Sequence, residues 1–178
     1  DKDPAVESAW THDGEYQRLV SSWPSWPSSP ERVRKRYEAL ERSMEEEKNE
    51  LAFTVRLRGR SAGVGGRLLG HARLSHVAWS NGDGWVSLAI GSPADRRKGY
   101  GSEALSLLLR IAFADLNLHR LTAAVPAYNA GALAFFGAHG FVEEVRRRRA
   151  LHVDGECWDE VLLGLLREEW TAAGGQDA

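Results

Sequence analysis

The spacing of apolar positions changes period along the chain. Residues 51–57 (Leu-Ala-Phe-Thr-Val-Arg-Leu) alternate and are rich in β-branched and aromatic side chains, which predicts a strand. Strand character resumes over 67–78, breaks at Asn81-Gly82-Asp83-Gly84 and returns over 85–90, so the Asn-Gly pair predicts an antiparallel hairpin. From there the period lengthens. Leu105, Leu108, Leu109, Ala112 and Leu116 recur at helical spacing and predict a helix over 103–117 with one face on a sheet. A strand over 118–125 follows, then a helix over 129–139 ended by Gly140. Segments 145–151 and 158–166 flank Asp154-Gly155 and predict a last hairpin. Upstream, Val33, Tyr37, Leu40 and Met44 make one narrow stripe on a helix over 30–48, with Ser29 as cap and Pro30 in the first turn. Residues 1–30 show no such stripe, and three prolines within 24–30 predict irregular chain there, in which Trp23 and Trp26 read first as core plugs and otherwise as the lining of a substrate mouth. Together these give an α/β fold (α+β by some schemes): a mixed sheet flanked by helices, with one strand–helix–strand crossover.

Composition narrows the classes. At 178 residues, 43% apolar and 27% charged, the chain suits a single domain over 1–178. A net charge of −2 argues against a protein built to grip nucleic acid. The greasiest stretch, 104–116, is broken by Arg110 and Asp115 and predicts no membrane span. A lone cysteine, Cys157, closes no internal disulfide, so a reducing, cytoplasmic setting is the expectation, and Cys157 reads as a small core residue.

One segment carries chemistry. Residues 91–104 join a strand to the start of the best-patterned helix, where unpaired N–H groups and a partial positive charge make an anion site. Gly99 and Gly101 remove Cβ atoms there, while Arg96, Arg97 and Lys98 add positive charge, so the loop suits a diphosphate. The P-loop order is absent, because Lys98 precedes its glycine. Gly99-x-Gly101-x-x-Ala104 meets the dinucleotide fingerprint, but mid-chain after antiparallel strands, which makes a nicotinamide-dependent oxidoreductase the weaker alternative. No His, Cys and carboxylate spacing matches a metal set. His71, His76 and His119 read as packed or surface residues, His139 as a helix-end cap, and Arg146 to Arg149 as a solvated strand edge.

Arg96-x-x-Gly99-x-Gly101 resembles the pyrophosphate motif of the GNAT superfamily of acetyl-CoA-dependent N-acetyltransferases. Lys98 to Ala104, Leu118-His119-Arg120-Leu121, Asn129-x-x-Ala132 with Gly140-Phe141, and the ending Trp158-Asp159 to Trp170 resemble the branch containing the ribosomal-protein N-terminal acetyltransferases. That resemblance implies a central, mostly antiparallel sheet with a splayed strand pair. It implies acetyl-CoA as cofactor (CoA as product), with the pantetheine arm along Leu88, Ala89 and Ile90, the diphosphate on Arg96, Arg97, Lys98, Gly99, Tyr100, Gly101 and Ser102, and further cofactor contacts from Asn129 and Phe136. The implied oxyanion donor is a backbone N–H near Ala89 or Ile90. Phe136 stands where many relatives carry a tyrosine acid, so water or Tyr128, beside Asn129, would take that role or the enzyme would be weak, and no general base is evident. Residues 1–50, including Trp23 and Trp26, would line the acceptor side; 85–142 would form the cofactor core and 143–170 the terminal hairpin. The expected partners are an amine acceptor, on a protein N-terminus or a small molecule, and a second copy paired through terminal strands. A non-catalytic acyl-CoA-binding module is the main rival, since Phe136 has no proton to give.

Overall fold

A computed structural model of the protein describes residues 2–20, 26–58 and 65–174. Among these residues six strands form one sheet in the order β1-β2-β3-β4-β6-β5: β1 (Leu51–Arg56), β2 (Leu68–Ala78), β3 (Asp83–Ile90), β4 (Arg120–Pro126), β5 (Val142–Val153) and β6 (Glu156–Leu166). Every neighbouring pair is antiparallel except β3 and β4. Those two are joined through helix α4 (Tyr100–Arg110), which continues into a π-turn at Ile111–Asp115. The predicted leucine stripe of α4 is the core: Leu105, Leu108, Leu109, Ala112 and Phe113 are buried against Ala72, Leu74, Val86 and Leu121. Helix α5 (Ala130–Ala138) adds Phe136, which stacks edge-on against Phe141 and Phe135.

The amino-terminal expectation is overturned. In place of irregular chain, Asp3–Trp10 forms helix α1 and Gly14–Val20 forms α2, ahead of α3 at Pro30–Glu47. Neither early helix is long enough for a periodic stripe to stand out, and each is secured by tertiary contact. Ser29 caps α3 by accepting from the Arg32 N–H, with Pro30 in the first turn as expected. Trp10, Tyr16 and Leu68 make a second, smaller core on the sheet face opposite α4. A Cβ on Gly91 would lie 2.1 Å from the Trp10 ring, so that glycine is what lets α1 press against the end of β3.

Two further expectations change. Cys157 is exposed rather than a core residue, because it sits by the hairpin tip where both sheet faces meet solvent. Trp26 stands 74% exposed and is no core plug, while Trp23 lies outside the described residues. Arg146 to Arg149 do form a solvated edge: Arg146 pairs with Glu143 and Arg147 with Glu160 on exposed β5. Among the described residues, no helix is long and apolar enough to cross a membrane.

Replacing Gly91 by Ala should force the Trp10 ring off its seat and cost about 1–3 kcal/mol, the usual range for overpacking. Urea denaturation of the two proteins measures it.

Candidate active site

The parallel ladder between β3 and β4 lasts for only three residue pairs, Asp83 with Arg120, Gly84 with Leu121 and Trp85 with Thr122. Beyond them the strands part. On its other side β3 stays paired with β2 as far as Ile90, and the Gly91 N–H donates to the Leu69 carbonyl at 2.9 Å. Polar groups alternate sides along an antiparallel strand. Leu88 and Ile90 therefore direct their N–H and C=O groups into the gap, while the Ala89 N–H points toward β2. Of the two candidate oxyanion donors, Ile90 is the one that faces the opening.

The loop leaving β3 is held from both ends. Asp95, 4% exposed, accepts two hydrogen bonds from Arg67, at 2.5 and 2.7 Å. The Arg67 guanidinium holds the Asp95 carboxyl below its ordinary range, outweighing the effect of burial. Arg96 folds back instead of reaching outward, donating from Nε to the Ile90 carbonyl and from a terminal nitrogen to the Gly91 carbonyl, both at 3.3 Å. Arg97 and Lys98 remain exposed.

Gly99 caps α4 with φ +86°, and Arg97 also has positive φ, at 58°. This turn leaves the N–H groups of Gly99, Tyr100, Gly101 and Ser102 without a protein acceptor among the described residues; the first helical bond is Glu103 N–H to the Gly99 carbonyl, at 3.0 Å. A Cβ on Gly99 would project into open space, and one on Gly101 would come within 3.5 Å of Phe135 and 3.6 Å of Leu88. The first turn of α4 thus sits over the mouth of the gap. Four free amides, a dipole end and two exposed cations fit a diphosphate.

Asn129 caps α5, its Oδ1 accepting from the Ala132 N–H at 3.0 Å, while Nδ2 donates to the Leu19 carbonyl at 3.3 Å. Tyr128 donates its hydroxyl to the Arg18 carbonyl at 2.8 Å, with the Arg18 guanidinium 4.8 Å above its ring. Burial pushes the Tyr128 hydroxyl above its ordinary value. Helix α2 thereby bridges the opening, seated on the β3 side by Tyr16 and on the β4 side by Tyr128 and Asn129, a contact the sequence reading missed. Phe136, 6% exposed, belongs to the core rather than the opening; its neighbour Phe135 lies beside Gly101. His119 lies at the paired end of β3 and β4, and His139 ends α5 with Nδ1 2.7 Å from the Phe135 carbonyl, so neither reaches the gap.

An open parallel pair, a free helix start beside it and an antiparallel frame around both make a cleft suited to an amide-bearing arm that ends in a diphosphate. The profile of the acetyltransferase (GNAT) domain matches residues 1–142, and the chain belongs to that family. It is 32% identical over 87 residues to the uncharacterized N-acetyltransferase YnaD of Bacillus subtilis, and 28% identical over 90 residues to the prophage-derived YokL of the same organism. These matches cover 49% and 51% of this chain, and the chain spans about half the length of each relative (49% and 50%). A spermidine N-acetyltransferase from Vibrio cholerae, in complex with CoA and spermine, superposes with TM-score 0.76 at 19% identity over 95% of this chain and 92% of its own. A probable acetyltransferase gives 0.77 at 26% identity, covering 95% and 90%.

Gly99→Ala places a side chain at positive φ, costing about 1–2 kcal/mol of folding, and also sets a methyl group before the free amides. Acetyl-CoA affinity, by calorimetry, should fall by more than that penalty explains. Asp95, with its pKa lowered on folding, stabilises the fold above the ordinary carboxylate value near 4 and ceases to as pH falls through its depressed folded value. Asp95→Asn should therefore lower stability at pH 7 while flattening the acid limb, read from melting temperature between pH 7 and pH 2.

Proposed function

We propose that the protein transfers an acetyl group from acetyl-CoA to a primary amine by direct attack in a ternary complex. The observation that carries this is the unpaired first turn of α4 at the mouth of the β3–β4 opening, which offers phosphate-binding amides beside strand groups free to pair with an amide-bearing arm. In this reading Arg97 to Ser102 hold the diphosphate, and Leu88 and Ile90 hold the pantetheine arm. Arg96 keeps the end of β3 in place. The Ile90 N–H faces the carbonyl oxygen that becomes negative when nitrogen adds to the thioester. Residues 1–50 form the acceptor side, 85–142 the cofactor core and 143–170 the terminal hairpin. The acceptor is a small polyamine, as in the Vibrio cholerae neighbour crystallised with spermine, or a protein N-terminus, as the motifs of the ribosomal-protein branch suggest. That neighbour's enzyme also forms a dodecamer, and pairing of this chain through its exposed β5 edge is the corresponding expectation.

One observation favours a second reading, CoA binding without turnover: Phe136 has no proton, and the Tyr128 hydroxyl is already committed to the Arg18 carbonyl. A CoA thiolate leaves readily near neutral pH, so a dedicated acid is dispensable. Mixing the protein with acetyl-CoA and a panel of spermidine, amino acids, an aminoglycoside and a peptide beginning with Ser should release free thiol with at least one acceptor. CoA-dependent thermal stabilisation with no thiol from any acceptor favours the second reading, and stabilisation by NAD but not CoA rejects both.

A further inference from the structure

The sheet face opposite α4 carries a buried carboxylate that takes no part in the cofactor cleft. Glu7 of α1 is 7% exposed and meets three partners: Arg36 and the Tyr37 hydroxyl from α3, and His71 from β2. Burial alone would raise its pKa, yet His71, Tyr37 and Arg36 together lower it, so the group is a carboxylate. Nε2 of His71 lies 2.7 Å from Glu7 Oε2, at pairing distance though off the line of a good hydrogen bond. Nδ1 has no protein partner among the described residues, and the side chain keeps 28% of its surface open. A carboxylate on one ring nitrogen fixes the N–H there and leaves the lone pair on the other.

The placement is specific. His71 is the Cα partner of Ala89, the residue between the two whose backbone groups face the opening. One strand spacing, about 4.8 Å, separates them, a span bridged by an imidazole and one water. Ala89 offers only a methyl group on that side, and the rings of Trp10 and Tyr37 flank the imidazole edge-on at 5.9 and 6.0 Å. The free amides of α4 lie on the other face, so an arm threaded through the gap delivers its thioester toward the His71 side.

We infer that Nδ1 of His71, oriented by Glu7, takes the proton from the acceptor ammonium, directly or through one water. This rests on the acetyl-transfer reading above. The ammonium loses one proton to Nδ1, and the freed nitrogen pair forms the C–N bond. The C–S bond then breaks with its electrons on sulfur, and the second nitrogen proton passes to that thiolate. The imidazolium returns its proton to water through its exposed edge. The charged and titratable groups facing the ring and its carboxylate are Glu7 from α1, Arg36 and Tyr37 from α3, and Tyr16 from α2, whose hydroxyl burial pushes up to about 12. With Tyr16 and Tyr37 both raised, neither competes as base near neutral pH.

The test measures thiol release with spermidine and a peptide beginning with Ser as probes, across pH 5.5 to 9. His71→Gln keeps a donor toward Glu7 but offers no base; kcat should fall by about a hundredfold or more, with KM for acetyl-CoA unchanged. Imidazole added to His71→Ala should restore part of the rate. Glu7→Gln removes the carboxylate that orients the ring, so kcat should fall while KM for acetyl-CoA stays unchanged. Wild-type turnover with an unimpaired His71→Gln, or no imidazole rescue, overturns the assignment while leaving acetyl transfer intact. A His71→Gln protein that melts early and no longer responds to CoA makes the ring structural and overturns it too. A wild type that releases no thiol with either probe removes the acetyl-transfer reading, and this one with it.

Discussion

The interruption of one β-ladder governs the rest of the molecule. A sheet that stops pairing in its middle exposes backbone donors and acceptors where they are normally satisfied, and each one left dry costs on the order of 1–3 kcal/mol. In this chain the gap opens after Trp85 and Thr122, and the same connection that follows β3 begins α4 with four more unsatisfied amides. Two sets of unpaired groups, one along a strand and one at a helix start, therefore converge on a single mouth. A ligand with amides along an arm and a diphosphate at its end answers both sets at once.

Keeping such a gap open takes rigid neighbours on both banks. The β3 bank is fixed by Arg96 on the last two carbonyls, by the Arg67–Asp95 pair beneath the loop, and by Trp10 pressed over Gly91. The β4 bank is fixed by α5, whose Phe136 and neighbouring Phe141 fill the core below. Helix α2 touches both, through Tyr16 on one side and the Arg18 and Leu19 carbonyls on the other. Any movement that widens the opening must break the contacts of Tyr128 and Asn129 with that helix.

Much of this was legible in the residues, and the exceptions have physical reasons. Most strands, α3 and α4 carry strong periodicity, α5 is bracketed by Asn129 and Gly140, and the glycines at 99 and 101 with their cationic neighbours mark the proposed anion site. Helices α1 and α2 were missed because eight and seven residues hold too few turns for a stripe; Trp10 and Tyr16 sit there as isolated aromatics whose burial only the sheet explains. Arg96 reads in the sequence as one more loop cation, because no local pattern says that a guanidinium will turn back onto its own strand. Family position makes Phe136 a cofactor contact, and no local pattern shows that its ring also completes an aromatic cluster with Phe141 across Gly140. The Glu7–His71 pair spans 64 positions between its numbers, and nothing in either neighbourhood hints at the other.

Charge is divided between the two faces in a way that suits two unlike ligands. On the α4 side, Arg97 and Lys98 are exposed, and among the described residues no carboxylate lies within 4.0 Å of either. On the other side, among the described residues, cations near the opening have partners: Arg36 with Glu7, Arg96 with Glu15 and Arg18 with Asp154. A diphosphate approaching the first face meets uncompensated positive charge, which draws it in over roughly a Debye length, about 8 Å at physiological salt. An ammonium approaching the second meets paired charges and is not repelled. For the proposed ternary complex, a single sign of charge around the whole opening would favour one ligand and exclude the other, so pairing the cations on one face matters as much as leaving those on the other free.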